Sequence, residues 1–158
     1  MKKLCALLAV FALAACQQAP QTDTDTLAIH CGNLIDGISD EAPGPRVVVI
    51  RDERVIAITT PEDAPQDTAA LDLSTLTCLP GLIDTHTHIA LNHDDSSDLT
   101  IYYRRTHAEN MAITIANAAV TLDAGFTTIR NVGDYFPEAI IDARDMIREG
   151  EIPGPRIQ

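Results

Sequence analysis

His86 and His88, one residue apart at the end of a short apolar run, are the side chains whose types and spacing could do chemistry. Neutral imidazole is the commonest metal ligand in proteins, and two imidazoles suit Zn, Fe, Ni or Co rather than Mg or Ca. Whether both can reach one ion depends on the backbone that carries them. In a β-strand alternate side chains share a face, so Leu82, Asp84, His86 and His88 look one way and Ile83, Thr85, Thr87 and Ile89 the other. On a helix the same spacing turns the two rings about 200° apart. Pro80-Gly81 breaks the chain just before the run, and the run is short and bounded, so a strand is expected. The spacing alone fits a metal pair and two histidines on an exposed strand equally well.

The elements around this pair change character along the chain. From Leu27 to Leu79 the pattern is of short strands and turns: Leu27-Ala28-Ile29, Asn33-Leu34-Ile35 with an Asp36-Gly37 turn, then a Pro43-Gly44-Pro45 break. Two β-branched runs, Arg46 to Ile50 and Arg54 to Thr59, flank Arg51-Asp52-Glu53 as a hairpin would. Leu71-Asp72-Leu73 and Thr77-Cys78-Leu79 close this β-rich region. Beyond Ser96 the period becomes helical: Met111, Ile115, Ala118 and Leu122 recur at helical spacing before Gly125. Phe126 to Val132 is β-rich, Pro137 opens a second helix with an Ile140, Ala143, Ile147 stripe ended by Gly150, and Pro153 to Ile157 leads into a third strand. Such alternation implies an α/β architecture with parallel strands and crossover helices. The stripes read as core.

The totals narrow the classes of function. The chain has 158 residues, 46% apolar and 4% aromatic with no Trp, and a formal net charge of −12. That acidity argues against nucleic acid or an anionic membrane surface as partner, and the aromatic content against base stacking. Lys2 and Lys3 precede an apolar run from Leu4 to Ala15, an export signal too short to span a bilayer. Its end, Leu13-Ala14-Ala15-Cys16, resembles the lipobox of bacterial lipoproteins, which implies cleavage before Cys16 and lipidation of that residue. An ordinary signal peptide with an incidental Cys, or a buried N-terminal helix, is the alternative. Gln17 is not the Asp that in such lipoproteins favours the inner membrane, so the outer membrane, facing the periplasm, is expected. Both lysines lie in the signal, leaving arginine as the only strong base of the mature chain. Cys31 and Cys78 would then sit in an oxidising compartment, either as a disulfide or as two buried thiols. The expected organisation is a signal over 1–15, a polar tether over 16–26, a β-rich domain over 27–80 and an α/β domain over 81–158.

Three blocks carry a resemblance: Pro80-Gly81-Leu82-Ile83-Asp84-Thr85-His86-Thr87-His88, Ala124-Gly125-Phe126-Thr127-Thr128-Ile129-Arg130 and Ile152-Pro153-Gly154-Pro155-Arg156. From about Leu27 onward the chain resembles the start of the metal-dependent amidohydrolase superfamily, in its prolidase-like and imidazolonepropionase-related branch. The resemblance implies part of a small β-sandwich followed by the N-terminal part of a (β/α)8 TIM-like barrel. It makes His86 and His88 ligands of a divalent metal, expected to be zinc, with one or two ions in the complete enzyme. Asp84 is either an acceptor that orients His86 or a strand residue bonded to backbone. The implied chemistry is hydrolysis of a carbon–nitrogen bond in a small amide, cyclic amide or X-Pro dipeptide by metal-activated water. Asn131 stands where the family habit is Asp.

The other ligands implied by the family are a carboxylated Lys, two His and an Asp from later strands. None is found in this chain, so no catalytic residue is assigned and an incomplete barrel is expected. Among the remaining histidines, His30 lies in the β-rich region, His107 near a helix start and His93 in an acidic loop close to the strand end. Two functional expectations follow. One is a lipid-anchored amidohydrolase of which this is the N-terminal part; the other is a truncated, catalytically incompetent lipoprotein remnant.

Overall fold

The structure, a computed structural model, describes residues 23–92, 97–135 and 137–158. The chain divides into two compact units, Met1–Leu79 and Pro80–Gln158. Among the described residues the chain is mixed α/β, with two sheets and two α-helices.

The first unit is a four-stranded sheet of β1 (Asp23–Leu34), β2 (Arg46–Arg51), β3 (Arg54–Thr59) and β4 (Thr68–Cys78), in the order β3-β2-β1-β4. β1 runs antiparallel to β2 and parallel to β4. The β2–β3 hairpin closes on Asp52 and Glu53, whose φ values of 48° and 62° put two consecutive residues in the left-handed region that a tight hairpin turn requires. One face buries Ala28, Val47 and Val49 with Ala64. On the other, Leu71, Ile29, Val48 and Ile58 are neighbours across the four strands, with Leu71 45% and Ile58 51% exposed. The strands are longer than the apolar runs suggest. β1 starts at Asp23, so residues 23–26 of the expected tether belong to the sheet. Thr26 is buried there, and its hydroxyl accepts a hydrogen bond from Arg51 Nε at 2.9 Å. The expected pairs of short segments are each one continuous strand, because pairing with β1 carries β4 through its polar middle.

Cys31 on β1 and Cys78 at the end of β4 are joined by a disulfide, with Cα atoms 5.8 Å apart. Between these residues β1 advances from Cys31 to Asn33 while β4 advances from Leu73 to Thr77. Gly32 makes this bulge possible: a Cβ there would come within 2.1 Å of the Ser74 carbonyl oxygen.

The second unit has three parallel strands, β5 (Leu82–Thr87), β6 (Phe126–Asn131) and β7 (Arg156–Ile157), in the order β5-β6-β7. The crossovers carry α1 (His107–Asp123) and α2 (Pro137–Arg148). Ala118 of α1 and Ile140 of α2 pack with Ile129 of β6, Ile157 of β7, Ile89 and Ala90. α1 begins at His107, later than the unbroken run before Gly125 suggests. Leu99–Tyr103 is a separate 3-10 turn capped by Asp98, and α1 begins after a capping box in which Thr106 and Glu109 each bond the other's backbone N–H. The buried line of α1 also differs from the expected stripe: Asn110, Thr114 and Ala118 are most buried, and Met111, Ile115 and Leu122 flank them, partly covered. Thr114 tolerates burial because its hydroxyl donates to the Asn110 carbonyl at 2.8 Å. Among the described residues, no helix is long and apolar enough to cross a membrane.

Two stability predictions follow from these features. The disulfide closes a span of 47 residues, and the chain-entropy relation for such a loop corresponds to about 4 kcal/mol. Denaturant unfolding of the whole chain with and without reductant should show a loss of that order, confined to signals from the first unit. Thr106→Ala removes the α1 cap and should cost about 1 kcal/mol near neutral pH. The Thr106 backbone amide, with its hydroxyl, holds the Glu109 carboxyl below its ordinary range. That contribution is present above the unfolded-state carboxyl value and is lost as pH falls through the folded one, so the wild-type advantage over Thr106→Ala should narrow on acidification.

Candidate functional site

The site is built on the end of β5. Its register against β6 pairs Asp84 with Ile129 and Thr87 with Asn131. β5 therefore advances three residues while β6 advances two, and an extra residue interrupts the alternation of faces between Asp84 and Thr87. From His86 onward the chain brings the two imidazoles together, with ring centroids 5.5 Å apart and planes at 72°. Both are exposed. Asp84 does not reach the His86 ring through this strand: its Oδ1 accepts a hydrogen bond from the His86 backbone N–H at 2.9 Å.

His88 is fixed by the loop after β6. Its Nδ1 is hydrogen-bonded to the Gly133 carbonyl oxygen. A carbonyl can only accept, so Nδ1 carries a proton, and in the neutral ring Nε2 then keeps the lone pair. Metal-ligating histidines are oriented in this manner, by a hydrogen bond from the other ring nitrogen.

Several side chains hold the backbone next to these rings. Asn131 Oδ1 accepts from Ile89 N–H at 2.9 Å, and Asn131 Nδ2 donates to Asp134 Oδ2 at 3.0 Å. Asn117 of α1 donates through Nδ2 to the carbonyls of Ile89 at 2.8 Å and Leu91 at 3.1 Å. Val132 N–H donates to the Thr87 carbonyl at 3.0 Å, and Thr87 Oγ1 to that of Arg130 at 3.2 Å. Burial pushes the Asp134 carboxyl above its ordinary value, outweighing the Asn131 donor and the nearby His88, which act the other way. An open groove of about 260 Å³ passes His88 between the end of β5 and α1, lined by Thr87, Ile89, Leu91, Asn117 and Thr121.

The other candidates are dispersed. His30 belongs to β1, paired with Val47 and Asp72 in the first unit. His107 Nε2 meets Asp142 Oδ2 at 2.9 Å, tying the start of α1 to α2. His93 and Cys16 lie outside the described residues, as do the signal segment and most of the tether. Among the described residues, no group of three His, Cys, Asp or Glu stands close enough to hold a metal. The donor chemistry of the histidine pair fits a metal of the zinc class, and the pair could supply two of the ligands that such a site needs. Asn131, Asp134 and Asn117 carry much of the local order and were not assigned roles from sequence. Asn131 had drawn notice only as a departure from a pattern.

No family model matches the chain. It is similar to the solved structure of a Xaa-Pro dipeptidase with methionine bound in its active site, at 33% identity and a TM-score of 0.74 over 84% of this chain and 32% of that one. It is also similar to a prolidase complexed with N-methylphosphonate-L-proline, at 26% identity and a TM-score of 0.68 over 84% and 31% of the two chains. Molinate hydrolase aligns at 25% identity and a TM-score of 0.72 over 85% and 29%. Among curated proteins, a dihydroorotase of Anaeromyxobacter sp. (strain K) is 36% identical over 66 residues, 42% of this chain and 15% of the relative. The structural neighbours are amidohydrolase-superfamily enzymes, hydrolases that act on carbon–nitrogen bonds. The chain spans about a third of the length of these solved structures and less of the dihydroorotase.

Proposed function

We propose that this chain is part of a metal-dependent amidohydrolase in which His86 and His88 are ligands of a divalent ion, zinc first among candidates. The observation that carries the reading is the imidazole pair at the end of β5, with His88 Nδ1 held on the Gly133 carbonyl, in a chain resembling a Xaa-Pro dipeptidase along 84% of its length. A bound ion of this kind lowers the pKa of a water and polarises the carbonyl under attack. The residues here hold the ligands in place: His88 presents Nε2 because Nδ1 is occupied, and the β5 bulge sets His86 beside it. Small amides, cyclic amides and X-Pro dipeptides are the proposed substrates. The β-rich first unit is read as part of a sandwich and the second as the first strands and helices of a barrel.

His86→Ala and His88→Ala should each weaken Zn²⁺ binding, read by calorimetric titration, by more than the roughly 10- to 100-fold cost of losing an outer hydrogen-bond partner. Metal-dependent hydrolysis of an amide and X-Pro panel should fall with it. Full metal binding in either variant overturns the assignment. One observation favours a second reading, a non-catalytic remnant: the described residues bring together two imidazoles, where catalytic zinc sites use three protein ligands. Metal-dependent turnover by the purified 158-residue chain would dismiss it.

The export signal supports a further part of the proposal, a lipid anchor on Cys16 with the folded units on the periplasmic side of the outer membrane. Cys16→Ala should move the protein out of the membrane fraction. An unchanged fractionation pattern would show that the lipobox reading is mistaken.

A further inference from the structure

Asn131 sits between two parts of the chain that must stay in register. Its carbonyl oxygen captures the Ile89 amide just beyond His88, and its NH2 donates to Asp134 just beyond Gly133, the residue that holds His88 Nδ1. One amide side chain therefore fixes both the segment that carries the ring and the segment that carries its acceptor. A primary amide does both whatever the pH, since one end accepts and the other donates, whereas a carboxyl does so only while it is protonated. An Asp at this position could still accept from Ile89 but would set its second carboxylate oxygen against Asp134, and two carboxylates so close cannot both ionise. The acid at 134 and the amide at 131 are thus matched to each other.

We propose that Asn131 and Asp134 are a matched pair of positioning residues that set the ring orientation and tautomer of His88. The proposal rests on the reading of His88 as a ligand only for its functional meaning; its physical content holds in the metal-free chain. Asn131 acts through the backbone of Ile89 and the 132–134 loop, without touching the imidazole.

The test uses the full chain without metal, at about pH 8, where an ordinary imidazole is neutral. Long-range proton–nitrogen correlation spectra report which ring nitrogen of His88 is protonated, with His86 as internal control. In wild type the Nδ1–H form of His88 should predominate. Asn131→Asp, and independently Asp134→Ala, should shift the ratio roughly fivefold toward Nε2–H, the worth of one hydrogen bond, with the His86 signals unmoved. The exchange Asn131→Asp with Asp134→Asn reverses donor and acceptor and should restore the wild-type ratio. An unchanged His88 tautomer in both single variants overturns the proposal, as does a double variant that behaves like Asn131→Asp. Amide protection at Ile129 establishes that each variant is folded, and Asp134→Ala keeps the test decisive if Asn131→Asp is not. A parallel Zn²⁺ titration should show roughly tenfold weaker binding in the single variants and recovery in the exchange. Tautomers that follow the expected order in a wild type that binds no Zn²⁺ would support the positioning pair and sink the metal reading.

Discussion

Where a parallel strand ends, its last amides and carbonyls lose the ladder that satisfied them, and the end of β5 depends on how those groups are answered. Here the answer comes from side chains. Asn131 takes the Ile89 amide, Asn117 takes the carbonyls of Ile89 and Leu91, and the Thr87 carbonyl is met by Val132 N–H. A buried backbone group left alone costs about as much as a lost hydrogen bond, so these contacts decide whether His88 stands on an ordered turn or a frayed end. Ile89 and Ala90, buried against Ala118 and Ile129, extend the same constraint into the core. The candidate site is therefore continuous with the packing that holds the second unit together.

The parts of the fold legible in sequence are those where local chemistry and tertiary demand coincide. The β2–β3 hairpin has β-branched runs on both sides of a polar turn, and α2 is bracketed by Pro137 and Gly150; both stand as expected. β1 was underestimated because Asp23 to Thr26 look like linker, and only the neighbouring strands, reaching Arg51 and Thr68, make them sheet. The start of α1 was legible after all, in Thr106 and Glu109 at capping-box spacing, but absence of Pro and Gly upstream is not a helix signal. Its buried line escaped because Asn110 and Thr114 are polar, Thr114 turning its hydroxyl back onto the Asn110 carbonyl, which no hydrophobic period records.

At the site the division is sharper. Histidines one residue apart are visible in any reading, and the β-strand that leads into them follows from Pro80-Gly81 and the apolar run. The bulge between Asp84 and Thr87 was not legible, because it arises from register with β6 rather than from β5 itself. The partners of His88 were hidden for the same reason: Gly133 and Asn131 lie more than 40 residues along the chain from the groups they hold. Asn131 looked like a flaw in a pattern; placed in three dimensions it is a two-ended clamp whose meaning depends on Asp134.

The first unit leaves β3 at the edge of its sheet, with Val55, Ile56 and Ile58 each at least half exposed and, among the described residues, no strand on its outer side. Within its span this edge carries Arg54 at its start and a bulge where Val55 to Ala57 face Ile50 and Val49 of β2, two of the features that blunt such edges. Its open amides and carbonyls are a template for any extended chain of similar composition, including the same strand of another molecule. Pairing along this edge would not require the core behind it to unfold.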